Sequence, residues 1–430
     1  MKKKTLIVSL IMAVIWLGVY FFTYRNTGLK EPDITLPAGE NGLSFLNIPK
    51  GFGISVAAEK LDNPRVILFD SMGRMLVSET KAGRVSVLED PVRNSLSSNG
   101  TSKASRTLIE GLKSPHGLDF YTDPKTKNTY LYIAETHRVA RYSYDVKNGQ
   151  LASKTGQNIT NLPAEGRHFT RTIAFGPNFR TSPIVGGSVD TLAETKLYVS
   201  VGSSCDVCEE STWKRAAILE TDPRGTYTAE FAGGLRNSVF FAFHPITKEI
   251  WATEMGRDNL GDDLPPDEIN IVKVADSEDE FGAKRYGWPF CYGNKIKDKK
   301  FNPDKWERVD VANDCSQTEA PVIEMQAHSA PLGLVFIPSG QGWPKEWEGD
   351  LLVALHGSWN RSEPVGYKVV RYDLDAKGKV LSSEPADFVF GWLKSKSAIL
   401  GRPVDLKFGP DGALYISDDA AGLVYRIFPK

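Results

Sequence analysis

The feature that most constrains this chain is a β unit written six times. Asn63-Pro64-Arg65-Val66-Ile67-Leu68-Phe69-Asp70 leads through Met72-Gly73-Arg74 into Met75-Leu76-Val77-Ser78-Glu79. Ser114-Pro115-His116-Gly117-Leu118-Asp119-Phe120 leads into Leu131-Tyr132-Ile133-Ala134-Glu135, and Gly401-Arg402-Pro403-Val404-Asp405-Leu406-Lys407-Phe408 into Ala413-Leu414-Tyr415-Ile416-Ser417-Asp418. Looser copies begin at Thr172, Phe241 and Gly333. Each is a strand, a turn and a second strand, bounded by the Gly, Pro, Asn and Asp that tight turns require. Phenylalanines at 69, 120, 175, 243, 336 and 408 mark the repeats, 51 to 93 residues apart. Units of this size bury both faces only by stacking on one another around an axis, so the repeat predicts a propeller. No window carries sustained 3.6-residue periodicity, which counts against α/β architectures. The expected fold is all-β, a single six-bladed β-propeller over residues 46–430 with no remainder for a second domain. The longest interval, residues 244–330, holds an insertion rich in Asp, Lys, Pro and Trp. A loop of that length in a compact domain is usually functional.

Ahead of the repeats, Thr5 to Tyr24 is uncharged and mostly apolar, between Lys4 and Arg25. As a helix it would be roughly 30 Å long, enough to cross the hydrocarbon core of a bilayer. Lys2, Lys3 and Lys4 orient it with the amino terminus in the cytoplasm. A cleaved signal would end in a small-x-small site, which Val19-Tyr20-Phe21-Phe22 does not offer. Residues 1–30 therefore read as a signal anchor or transmembrane helix and 31–45 as a linker. The body is expected outside the cytoplasmic membrane, periplasmic or extracellular. The chain is 41% hydrophobic, which suits a folded body, and its net charge of −1 argues against nucleic acid as a partner. Export also favours disulfides. Cys205 with Cys208 and Cys291 with Cys315 are expected to pair, in preference to zinc binding or free thiols.

If the six units are equivalent, residues entering each first strand share one rim with residues leaving each second strand. The first group includes Arg65, His116, His168, Arg171, Arg236-Asn237, His328 and Arg402. The second includes Glu79, Glu135, His137, Glu254, Gly256-Arg257, His356 and Asp418-Asp419. Five of the six histidines fall in these groups. Such a mouth suits a polar, anionic small ligand and proton-transfer chemistry. Taken singly, each histidine reads more readily as a hydrogen-bonded rim residue than as a catalyst. Arg236 or Arg402 could pair with an acid of a neighbouring blade such as Glu254 or Asp418. The stretch Asp258 to Asp263 reads as a solvated acidic loop.

Residues 46–430 resemble the glucose/sorbosone dehydrogenase family of propellers that depend on pyrroloquinoline quinone (PQQ). The resemblance lies in Gly166-Arg167-His168-Phe169-Thr170-Arg171, Gly234-Leu235-Arg236-Asn237, Pro265-Pro266-Asp267-Glu268-Ile269-Asn270, Tyr286-Gly287-Trp288-Pro289, Ala354-Leu355-His356-Gly357-Ser358-Trp359-Asn360-Arg361 and Gly401-Arg402-Pro403-Val404-Asp405. It implies PQQ-dependent oxidation of an aldose-type sugar or sugar aldehyde, with His168 as the general base. It also implies cofactor binding by His116, Arg171, Arg236, Asn237, His356 and Arg402, and a Ca²⁺ on the carbonyls of Gly256 and Arg257. The partners are then a sugar and an electron acceptor that the sequence does not identify. Met255 stands where the family usually carries an amide. Two other readings stay open, a non-enzymatic propeller that binds a cell-surface ligand and a calcium-dependent lactonase-type hydrolase.

Overall fold

The computed structural model describes residues 42–91, 105–180, 194–275, 282–301 and 314–430. Thr5 to Tyr24 and the linker to residue 41 lie outside them. Among the described residues no helix is long and apolar enough to cross a membrane, and the named helices are two 3-10 turns, Cys315–Gln317 and Lys345–Trp347.

Six antiparallel sheets form the blades. Their innermost strands are Pro64–Phe69, Leu118–Thr122, Ile173–Pro177, Phe241–Phe243, Pro331–Phe336 and Pro403–Phe408, and each contains one of the six marker phenylalanines. The second strands are buried and mostly apolar, most ending in Ser, Thr or a carboxylate, because each lies between two neighbouring blades. Met75–Glu79, Ile250–Glu254, Leu351–Leu355 and Leu414–Asp418 are buried at every position. A strand covered on both faces has no polar face to alternate. Each fully buried Leu or Val there contributes about 1.5–3 kcal/mol. Outer strands regain solvent, and in Gln157–Asn161 and Ala386–Phe390 only the third and fourth residues are buried.

The ring is closed by its two ends. Phe52–Ala58 pairs antiparallel with Leu423–Pro429, in the register Phe52 to Pro429 and Ile54 to Ile427. The amino-terminal strand thereby becomes the outer strand of the sixth blade. Polar latches join the innermost strands. Ile67 N–H donates to Asp405 Oδ2 at 2.8 Å, Ser417 Oγ donates to the Arg65 carbonyl at 2.6 Å, and Phe175 N–H donates to Asp119 Oδ2 at 2.7 Å. The long interval is used twice. Lys284–Arg285 adds a parallel edge to the third blade, and the Cys291–Cys315 disulfide ties down part of the insertion. Cys205 and Cys208 form the second disulfide, and no cysteine is free.

Candidate active site

Antiparallel pairing puts the entrance to each innermost strand and the exit of each second strand at one end of the ring. There an open cavity of about 260 Å³ is lined by residues that include His168, Arg236, Asn237, Gly256, Asp258 and Asn360. The sequence-derived rim thus converges on one place for His168, Arg236, Asn237 and Gly256.

His168 is held by its backbone and by one ring nitrogen. Gly166 precedes it at φ +103°, and a Cβ there would lie 2.6 Å from Ser204 Cα. Only glycine lets the loop pack this closely. Arg167 N–H then donates to the Ser204 carbonyl at 2.8 Å. The ring Nδ1 lies 2.9 Å from the Ser203 carbonyl and 3.0 Å from Ser203 Oγ, while Oγ spends its proton on the Cys205 carbonyl at 2.6 Å. Both oxygens can only accept, so Nδ1 carries the proton and Nε2 is bare. Burial, with the nearby Arg236 and Arg167 guanidinium groups, holds the imidazole well below its usual pKa. At neutral pH the ring is therefore an uncharged base.

Arg236, almost wholly buried, donates to Asp206 Oδ1 at 2.8 Å, to the Asp206 carbonyl at 2.9 Å and to Asp258 Oδ2 at 3.2 Å. Asp258 also accepts from Asn360 Nδ2 at 2.8 Å and from Arg167 at 3.3 Å. Burial nevertheless raises its pKa. Asn237 N–H donates to Glu254 Oε1 and its Nδ2 to Met255 Sδ at 3.4 Å. A Cβ on Gly202 would fall 2.6 Å from both Asn237 Oδ1 and His168 Cβ, so this glycine lets the two side chains flank one point. His328 donates from Nε2 to the Gly261 carbonyl at 2.8 Å and accepts from Asn360 at Nδ1, which fixes the adjoining loop.

The other expected residues do not line this cavity. Arg171 is not among the residues lining the cavity. It is fully buried, and its guanidinium donates to the carbonyls of His168, Thr170 and Pro163 at 2.7–2.8 Å. Arg215 shares two of those acceptors, His168 and Pro163. The pair clamps the His168 loop from beneath. Arg171 reaches its carbonyls at the cost of desolvation, which with Arg215 brings its pKa down to about 9. Arg257 turns aside to Asp298 at 2.7 Å and lines a small neighbouring cavity with Gly256.

His116, His356 and Arg402 belong to a second polar cluster around Asp419. The carboxylate accepts from Arg65 at 2.6 Å and from His356 Nε2 at 3.0 Å. Burial dominates His356 and lowers its pKa to about 4. The contact is therefore a neutral N–H to carboxylate bond, and Arg65 balances the charge. His116 is fully buried, with Nδ1 3.3 Å from the Arg171 carbonyl. Arg402 anchors its backbone N–H on Asp418 Oδ1, not its side chain as a pairing would require, and its guanidinium lies over Tyr367. Among the described residues, the buried Nε atoms of Arg65 and Arg402 and Nε2 of His116 have no partner, and neither does the Nε of Arg171.

Sequence reasoning missed Asp206 and misplaced Asp258. Asp258 is buried among arginines, whereas Asp262 and Asp263 of the same run do face solvent. The available signal was electrostatic, since Arg236 could not be buried at the rim without carboxylates.

A six-bladed ring with a polar cavity at one mouth defines the class of molecule. Within that class the chain belongs to the TrAA12-like family, whose model matches residues 46–429. It is 29% identical over 413 residues to an uncharacterized protein of Borreliella burgdorferi, covering 95% of this chain and 97% of that one. It is 25% identical over 442 residues to the pyrroloquinoline quinone-dependent pyranose dehydrogenase of Coprinopsis cinerea, covering 92% of this chain and 56% of the enzyme. The calcium structure of the Trichoderma reesei carbohydrate-active enzyme of family AA12 superposes with a TM-score of 0.69 at 22% identity. That match covers 93% of this chain and 99% of the fungal one.

Proposed function

We propose that this protein is a PQQ-dependent sugar dehydrogenase that oxidises an aldose-type sugar or sugar aldehyde outside the cytoplasmic membrane, with His168 as general base. The observation that carries the reading is the fixed tautomer of His168, with Nδ1–H committed to the Ser203 carbonyl and Nε2 bare in the cavity wall. Oxidation of an alcohol or hydrated aldehyde needs a proton acceptor at that place. The named activity of the Coprinopsis relative supports the same chemistry.

When bound, PQQ supplies the two-electron acceptor for the substrate hydride. The residues present suit it. Arg236 and Asn237 bring a cation and an amide to the cavity, and Arg65 and Arg402 hold N–H donors without protein partners. Guanidinium donors match a tricarboxylate. The Gly256 and Arg257 carbonyls accept no hydrogen bond among the described residues, and free carbonyls are suitable ligands for Ca²⁺. The chain's own work is then to accept the hydroxyl proton at His168 Nε2, to keep that ring neutral, and to fix it through Arg171 and Arg215. The reading includes an anchor at residues 1–30 and a separate electron acceptor.

Titrating the full chain with PQQ, with and without Ca²⁺, tests this reading. Saturable binding followed by aldose-dependent reduction of an artificial dye is expected. Absence of both a quinone absorbance change and turnover overturns it. Hydrolysis of lactones without PQQ would favour a hydrolase instead.

A further inference from the structure

Trp359 is anomalous for its place. The residue is 53% exposed, yet it lines the cavity between buried Ser358 and half-buried Asn360. Ser358, before it, is 2% exposed, and its carbonyl accepts from Tyr367 Oη at 2.6 Å. Asn360, after it, is tied to Asp258 and His328. The backbone is thus fixed on both sides, while the indole makes no hydrogen bond or ring contact among the described residues. A single exposed aromatic is ordinary on a surface; Trp359 stands out because it lines the polar cavity, where a bound ligand would cover it. A second exposed aromatic, Phe169 at 45%, follows His168 directly in the chain. The polar lining offers Asp258, Asn360 and Arg167 to hydroxyl groups.

We propose that Trp359 is the substrate platform of this cavity, a preorganised indole face against which the C–H face of an aldopyranose ring stacks. The inference rests on the sugar-oxidising reading and names its substrate class. A pyranose has polar edges and comparatively apolar faces, so a fixed aromatic face beside carboxylate, amide and guanidinium groups matches both. Because the loop is already ordered, little further entropy is lost on binding. The role is recognition, so the effect belongs in KM.

Saturation-transfer difference NMR on the cofactor-free full chain, with D-glucose, D-galactose and D-mannose as probes, reads the contact directly. At least one probe is expected to show transfer to its ring C–H protons, lost in Trp359→Ala and kept in Trp359→Phe. On PQQ-loaded protein, Trp359→Ala is expected to raise KM about three- to ten-fold, the worth of one aromatic contact, with PQQ affinity unchanged. No transfer to any probe in the native chain overturns the proposal, as does an unaltered KM or a loss of PQQ affinity, which would make the indole a cofactor contact. Failure of the native chain to bind PQQ sinks the dehydrogenase reading alone, and the NMR result still decides the platform.

Discussion

The two polar clusters at the mouth of the ring are built from the same residue types and differ in how their hydrogen bonds close. Around His168 most groups are matched, although the buried Nε of Arg171 beneath the loop has no partner among the described residues. Nδ1 is committed to Ser203, and Arg236 is balanced by Asp206 and Asp258. Around Asp419 two donors stay open, the buried Nε atoms of Arg65 and Arg402, which find no acceptor among the described residues. A buried unpaired donor costs on the order of 1–3 kcal/mol. On the proposed function, the first cluster would move a proton and the second would receive an anion the protein does not itself supply.

The largest effect should come from removing the base. His168→Ala is expected to lower kcat about 10²- to 10⁴-fold with little change in Tm, because the loop keeps its arginine clamps. Dye-coupled aldose oxidation measures it. A comparable fall in a second-cluster variant with full PQQ occupancy would erase the distinction.

In the second cluster the same kind of change should act on stability. Asp419→Asn leaves the Arg65 guanidinium buried without its counter-charge, and breaking such a pair typically costs about 3–5 kcal/mol. Thermal denaturation reads this as a drop in Tm. Despite burial, the hydrogen bond from neutral His356 and the charge of Arg65 hold the Asp419 carboxyl below its usual range. A lowered folded pKa adds stability above the unfolded value of about 4, lost as pH falls through the folded one. The native chain should therefore lose this contribution progressively as pH falls below about 4, and the variant should lack it throughout.

Arg402→Gln probes the ligand side of the same cluster. Loss of a charge-assisted donor is worth about 1.5–3 kcal/mol, so PQQ affinity should fall roughly 10- to 100-fold with kcat at saturation much less affected. Equilibrium titration decides it. Undiminished affinity would show that the unfinished bonds are not the cofactor's.

How far this contrast was legible in the sequence follows from which forces leave a local trace. The six blades were readable because a strand covered on both faces must be a short apolar run, as in Leu351–Leu355 and Leu414–Asp418. The rim was readable because β pairing returns both strand ends to one side. Bond direction was not. Arg171 and Arg236 look alike as residues entering a strand, yet Arg171 is buried against three carbonyls while Arg236 meets the cavity. Only the path of the backbone around Pro163 and Thr170 separates them. Asp258 was placed in solvent because its run is acidic, but the arginines that bury it come from positions 167 and 236, remote in sequence. Pairing across blades has no period to betray it.

The smallest expected effect is the most particular to the first cluster. Burial is the leading reason the His168 pKa is low, followed by the charge of Arg236 and then that of Arg167. Arg236 cannot be changed without stranding Asp206 and Asp258. Arg167 can, since its side chain is 44% exposed and its one ion pair is long, at 3.3 Å. A partly exposed charge is screened, so its loss should hardly alter kcat at neutral pH. It should still move the pH profile. A base with a lowered pKa stays competent until pH falls through that pKa, so the native enzyme should keep kcat/KM well into acid. Arg167→Gln removes one cation that disfavours the imidazolium, which raises the pKa and brings the acid limb in at higher pH. The limb should move back toward the native profile at the same pH in Arg167→Lys, which restores the charge. An acid limb that does not respond to either substitution would mean that a group other than His168 sets it, and the first cluster would lose its claim to the proton.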